Sequence, residues 1–183
     1  MVEAAVAGRP RLTVVGGGSA QWVPILIEDF ANTACLSQMS LVLEDLDENR
    51  LELTGAYARK VADQRRLGWQ VVTTTDQGLA LEGSDFVVVC ISTGGLDAMA
   101  TDLELSRRFG LPMPVGDTVG PAGITRSLRN IPVFLRLAGE MEQRCPEAWL
   151  LNLSNPMTTI CRAVSLHSSV RTLGLCHEVT NTV

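Results

Sequence analysis

Three adjacent glycines and a serine, Gly16-Gly17-Gly18-Ser19, follow the short β-branched run Leu12-Thr13-Val14-Val15. Glycines in series let the backbone turn sharply, visit φ > 0 and approach a ligand without a Cβ in the way. Exposed N–H groups there, beside a helix start, suit a pyrophosphate. About twenty-five to thirty residues on, Leu41-Val42-Leu43-Glu44-Asp45 reads as a second strand ending in acids. An acid in that place accepts hydrogen bonds from a ribose diol and favours NAD over NADP. Gly16, Gly18, Ser19 and Asp45 are therefore the cofactor candidates. Gln21 stands where a G-x-G-x-x-G pattern would have its third glycine, and a Gly-rich turn that binds nothing is the plain alternative. Pro24 cannot donate an N–H and suits a first helical turn. The helix is thus expected to begin near it, with residues 19–23 as an extended loop beside the phosphates.

Other residue types with chemistry stand at strand ends and in one glycine-rich loop. Cys176-His177 follows an apolar strand, and thiolate and imidazole are both metal ligands. Neighbours on an extended chain point to opposite sides, which argues against both holding one ion; a buried Cys beside an ordinary His fits the spacing as well. Asn152 and Asn155 lie in Asn152-Leu153-Ser154-Asn155-Pro156. Their amides suit sugar hydroxyls or a nicotinamide, or simply start a turn before proline. Asp117, between Gly116 and Thr118, is a candidate general acid or a solvated loop carboxylate. Arg126 and Arg129, about one helical turn apart, could reach an anion or coat a helix.

The elements that must position these groups alternate. Strands are expected at residues 11–16, 39–45, 69–74, 84–92, 148–153 and 171–175. Helices are expected at about 24–32, with Leu26, Ile27 and Phe30 as core stripe, and at about 48–67 behind an Asp47 cap. A short turn covers 76–81, and one more helix follows Asn155-Pro156. The Pro- and Gly-rich stretch 110–123 is too long for a mere connection. Behind it a helix carries Leu128, Ile131, Leu135 and Ala138 at three–four spacing, with Pro132 expected to kink it. The alternation predicts an α/β, Rossmann-like, doubly wound and mainly parallel sheet. The three tryptophans are read as core. Residues 1–10 are expected to be a disordered leader and 11–183 an NAD-binding domain.

Composition bounds the classes. The 183 residues are 46% hydrophobic and 19% charged, the balance of a globular chain. A net charge of −5 without a basic run argues against nucleic acid. No apolar run approaches the ~20 residues of a membrane span, and residues 1–11 lack a signal-peptide pattern. Five scattered cysteines form neither a disulfide framework nor a CxxC site. The expectation is a cytoplasmic protein with mostly buried, inert thiols, Cys176 excepted.

Taken in order, the motifs resemble glycoside hydrolase family 4, the NAD- and metal-dependent glycosidases. The resemblance rests on Gly16-Gly17-Gly18-Ser19, Asp45, Gly94-Gly95-Leu96, the stretch Gly116-Asp117-Thr118-Val119-Gly120-Pro121-Ala122-Gly123-Ile124, and Arg129-Asn130-Ile131-Pro132. It continues through Cys145-Pro146-Glu147-Ala148-Trp149, Asn152-x-x-Asn155-Pro156 and Gly174-Leu175-Cys176-His177, covering nearly everything from Arg11 onward. It implies a mechanism unlike the usual two-carboxylate glycosidase. Bound NAD oxidises the sugar C3 hydroxyl, a divalent metal, usually manganese, polarises the ketone, and a base takes the acidified C2 proton. Elimination of the glycosidic oxygen, water addition and hydride return complete a net hydrolysis. By resemblance Gly16, Gly18 and Ser19 cradle the pyrophosphate, Asp45 takes the adenosine ribose, and Cys176 ligates the metal. Asn155 and His177 face the sugar, and Asp117 holds the acidic position that protonates the leaving group.

Three departures qualify the resemblance. Ala122 replaces a glycine usual in the family, which reshapes the loop slightly. Ile91-Ser92-Thr93 lacks the arginine, and His177 replaces the acid, of the phospho-glycosidases. The substrate implied is a small non-phosphorylated α-glycoside or uronide, as in α-galacturonidase- or α-glucuronidase-like members. Family chains also run well over twice this length. The expectation is therefore a chain with its substrate domain truncated, binding NAD but inactive on glycosides alone, and homo-oligomeric in the full-length form. A lactate/malate dehydrogenase-like oxidoreductase and a non-catalytic NAD-binding domain are the rival readings.

Overall fold

A computed structural model of the chain describes residues 8–176, and they fall into two compact units, Met1–Cys90 and Ile91–Val183. In the first, the order is β1 (Arg11–Val15), α1 (Val23–Ala31), a single 3₁₀ turn at Ala34–Leu36, and β2 (Ser40–Glu44). Then come α2 (Glu48–Gln64), β3 (Gln70–Thr74), α3 (Gln77–Leu81) and β4 (Phe86–Val89). Its strands are all parallel, in the order β3-β2-β1-β4. Leu12, Val14 and Val15, Leu41 to Leu43, and Val87 to Val89 are all buried. Parallel strands covered on both faces need such unbroken apolar runs. Thr13, the polar residue inside β1, is satisfied by the Ala80 carbonyl at 2.8 Å and the Ser84 hydroxyl at 2.7 Å. The register pairs Val15 with both Glu44 and Val89, and Glu44 with Thr74. Gly16 and Asp45 therefore emerge side by side from the carboxyl edge, where open parallel sheets bind ligands.

The second unit runs α4 (Gly95–Arg108), α5 (Gly120–Arg144), β5 (Trp149–Asn152), α6 (Met157–His167) and β6 (Arg171–Gly174). β5 and β6 pair in parallel, and α5 packs on both α4 and α6. Phe134, Leu137, Ala138, Met141, Leu150, Ile160 and Val164 make its core. All six strands fall within a few residues of their expected positions, and the fold is the expected Rossmann-like α/β. Among the described residues no helix is long and apolar enough to cross a membrane.

Several local expectations change. No helix was expected between residues 96 and 109, yet α4 occupies Gly95–Arg108. Of the expected α5 stripe Ala138 is buried, Ile131 and Leu135 are half-buried and Leu128 is 70% exposed, and the buried positions are Ala122, Gly123, Ser127, Asn130, Phe134, Leu137, Ala138 and Met141. In α1, Val23 and Ile27 are buried while Leu26 and Phe30 are half-buried. Residues 19–22 are not extended: the Val23 N–H bonds the Ser19 carbonyl at 3.1 Å, and the Trp22 N–H bonds Ser19 Oγ at 3.2 Å. Trp149 is exposed, with Arg171 stacked over its ring at 5.9 Å, and Cys35 is exposed as well.

Candidate functional site

The glycine turn of the first unit works differently from the simplest expectation. Gly16 and Gly17 both donate to the Glu44 carbonyl, at 2.9 and 2.6 Å, and Ser19 N–H returns to the Gly16 carbonyl at 3.0 Å. Gly18 N–H donates to Asp45 Oδ2 at 2.9 Å. The four N–H groups expected to face a pyrophosphate are thus engaged within the turn, and the exposed Ala20 and Gln21 come next. What the glycines supply is room. Gly16 sits at φ 92°, which disfavours a side chain. A Cβ on Gly17 would lie 2.8 Å from Leu43 Cβ, and one on Gly18 would lie 2.8 Å from Arg50 Cβ and 3.0 Å from Asp45 Oδ2.

Asp45 is half-buried, and its other oxygen, Oδ1, accepts the Asp47 N–H at 3.1 Å. Each carboxylate oxygen has about two acceptor directions. One on each stays available, which matches a vicinal diol. The nearby Cys90 thiol is pushed up to about 12, by burial first and the Asp45 charge second, and its Sγ lies 3.5 Å from the Gly16 carbonyl. It is an inert core thiol rather than a nucleophile.

In the second unit the sequence-predicted groups gather around the first half of α5. Asp117 pairs with Arg126, whose side chain is mostly buried, while the Asp117 side chain itself stays 40% exposed. The loop carrying Asp117 folds tightly on the helix, because Gly116 packs on Ala122 and Gly123 on Thr118 with no space for a Cβ. One helical turn on, the buried Asn130 donates from Nδ2 to the Arg126 carbonyl at 3.0 Å and to the Asn155 carbonyl at 3.4 Å. Asp117 and Asn155 are therefore linked through Arg126 and Asn130. Asn130 Oδ1 is buried with no partner.

The two amides after β5 part company. Asn152 is fully buried and spends its side chain on Ser154, accepting its N–H at 2.8 Å and donating to its carbonyl at 3.1 Å. Among the described residues the side chain of Asn155, half-buried before a cis peptide bond to Pro156, has a long bond from the Met157 N–H, 3.4 Å. Asn155 is thus the freer amide.

Arg129 forks onto Asp102 with bonds of 3.1 and 2.6 Å, and its Nε donates to the Thr93 carbonyl at 2.8 Å. This brace holds the Thr93-Gly94-Gly95 turn; at Gly94, φ is 82°, and a Cβ would lie 2.6 Å from Ala98 Cβ. Burial raises the Asp102 carboxyl, but the hydrogen bonds from Arg129 and Thr125 and the charges of Arg129 and Arg126 outweigh it, leaving it below the usual carboxylate range. Asp102 was missed because its helix was missed. Asn130 had a signal, an amide three residues after Ser127 and four before Phe134 on one helical face.

Cys176 is exposed immediately after β6, anchored by the Leu175 N–H bond to the Asn152 carbonyl at 2.9 Å. His177 lies outside the described residues. Among the described residues no group of three His, Cys, Asp or Glu is placed to hold a metal.

A glycine turn fitted against an acid at the end of the neighbouring parallel strand defines a Rossmann-like α/β protein. The chain belongs to the family 4 glycosyl hydrolases, whose family model matches residues 11–183. It is 35% identical to an α-galactosidase of Bacillus subtilis over 92% of this chain and 39% of that protein. It is also 34% identical to an α-galacturonidase of Thermoanaerobacterium saccharolyticum, over 93% of this chain and 37% of the other. A solved 6-phospho-α-glucosidase from gut microorganisms, in complex with NAD and Mn²⁺, superposes with a TM-score of 0.82 at 26% identity, covering 95% of this chain and 40% of that one. The chain thus spans about two fifths of the length of these relatives. A lactate dehydrogenase from Eimeria maxima shares the fold alone, with a TM-score of 0.59 at 16% identity.

Proposed function

We propose that the chain binds NAD through its first unit and contributes, from its second, residues that face a small non-phosphorylated α-glycoside. Such a chain belongs to a glycosidase that works by oxidation at C3, elimination, water addition and re-reduction. The carrying observation is Gly18 packed against Asp45, with one acceptor direction left on each Asp45 oxygen. When bound, NAD supplies reversible acceptance of hydride from the sugar C3, and a divalent metal such as Mn²⁺ polarises the resulting carbonyl.

The chain's own residues do the rest. Asp45 orients the adenosine ribose, Gly16 and Gly18 leave space for the phosphates, and Ser19 pins the turn into α1 through Trp22. Asp117, fixed by Arg126, is the acid assigned to the leaving oxygen. Asn155 is assigned to the sugar hydroxyls, His177 shares that role by the family resemblance alone, and Cys176 is the proposed metal ligand. Both arginines in the first half of α5 are engaged by acids, which favours a substrate without phosphate. The α-galactosidase and α-galacturonidase relatives support the same class.

Calorimetric titration of the chain with NAD tests the reading. Saturable binding is expected, and Asp45→Ala should weaken it at least about tenfold, the equivalent of ~1.4 kcal/mol for lost charge-assisted hydrogen bonds. Equal binding by the variant would remove Asp45 from the site, and no binding by the folded chain would remove the cofactor role.

A further inference from the structure

The segment after Asp45 carries a charge arrangement that ribose binding does not need. Between Asp45 and Glu52 stand four acids, Asp45, Asp47, Glu48 and Glu52, against one base, Arg50. The start of α2 lies directly behind the ribose acid. A helix N-terminus in that position ordinarily attracts an anion through its free N–H groups and dipole. Here Asp47 closes it: its Oδ1 accepts the Asn49 and Arg50 N–H groups at 3.1 and 3.2 Å, and Glu48 adds a negative charge in the first turn.

Arg50 is the cation of this segment. Its Cβ packs over Gly18, yet its Nε is held by Asp47 Oδ2 at 3.2 Å. On the β3 side of the same strand end, a cavity of about 380 Å³ is lined by Glu48, Leu51, Glu52 and Thr73 to Thr75. The cavity lies next to the strand end that carries Asp45, and two of its six lining residues are acids. In dinucleotide folds, an acid at this strand end receives the 2′-hydroxyl of NAD, whereas a nearby arginine accommodates the 2′-phosphate of NADP.

We propose that Asp47, together with Glu48 and Glu52, excludes a 2′-phosphorylated cofactor by capping the α2 N-terminus, by occupying Arg50 in an ion pair and by charge repulsion. The inference rests on the NAD-binding reading above and adds specificity residues to Asp45. Asp47→Asn keeps a capping oxygen while removing the charge and the hold on Arg50. Glu48→Gln/Glu52→Gln leaves the cap untouched.

The test is calorimetric titration of the chain and its variants with NAD and with NADP, compared by the ratio of their Kd values. The wild type is expected to bind NAD in clear preference to NADP. Asp47→Asn and Glu48→Gln/Glu52→Gln should each cut that preference at least about fivefold, leaving NAD binding within about twofold, and adding salt should narrow the wild-type preference as charge repulsion is screened. Adding Arg50→Gln to Asp47→Asn should cancel the gain in NADP affinity. An unchanged ratio in both variants, with NAD still bound, overturns the proposal while the cofactor reading stands. So does a wild type that binds the two cofactors equally. A wild type that binds neither overturns both.

Discussion

Alanine at position 18 would place its Cβ 2.8 Å from Arg50 Cβ and 3.0 Å from Asp45 Oδ2. Gly18 is not among the glycines at positive φ, so the backbone angle accepts the change, and the conflict is with Arg50 Cβ, fixed on α2, and with the Asp45 carboxylate. That carboxylate must swing away, giving up the Gly18 N–H bond and the orientation that suits a diol. Gly18→Ala should therefore weaken NAD binding about tenfold and cost about 1–3 kcal/mol of stability, read by titration and urea unfolding. A loss of stability without loss of affinity would show that Gly18 serves only the fold. At this scale the sequence was informative about residue types, since glycines followed by an acid at one strand spacing restrict the chemistry. It was silent on the hydrogen bonds. Nothing in Gly16-Gly17-Gly18-Ser19 says that all four N–H groups turn inward.

The strands were legible because parallel strands buried on both faces need unbroken apolar runs, and Leu41 to Leu43 and Val87 to Val89 are such runs. In the second unit α5 and α6 were legible as helices, whereas α4 and most of the buried face of α5 were not, for a definite reason. The buried residues of α4 are Asp102 and Ser106, so a search for an apolar stripe finds none. In α5 the buried face includes Ser127, whose hydroxyl donates to the Gly123 carbonyl at 2.7 Å, and Asn130, while Ile124 and Leu128 face outward. Counting apolar residues alone rotates the helix toward its exposed side. The two phases make opposite predictions. Phe134→Ala should cost about 3–5 kcal/mol by opening a cavity in the core, whereas Leu128→Ala should fall within about 0.5 kcal/mol of wild type. Urea unfolding of both variants decides; a large cost at Leu128 would return the helix to the phase read from sequence.

For the whole molecule, pH separates the contribution of the buried pair from that of the exposed charges. Asp102 is 4% exposed and its carboxyl lies below the ordinary value of 3.8. A carboxylate depressed in the folded state stabilises fully above its unfolded value and loses that contribution as pH falls through the folded one. Stability should therefore be level through neutral pH and fall below about pH 4. Glu142 adds to the same limb, since the Ser169 N–H and hydroxyl bonds hold it below its usual range. At the alkaline end, the bond from Tyr57 to Glu28 raises the Tyr57 hydroxyl, so its contribution disappears only as pH climbs past the ordinary 10. Asp102→Asn removes the largest buried piece. At neutral pH it leaves Arg129 without its carboxylate and should cost about 3 kcal/mol, the low end for a broken buried pair because Arg129 keeps some solvent contact and its Thr93 bond. At pH 3 the cost should shrink, because the unfolded wild-type chain takes up the Asp102 proton before the folded one does and part of the stabilisation is gone. Thermal unfolding of both chains from pH 3 to pH 8 makes the comparison. Converging acid limbs would assign the acid sensitivity to the Asp102–Arg129 brace, and limbs that stay parallel would place it elsewhere.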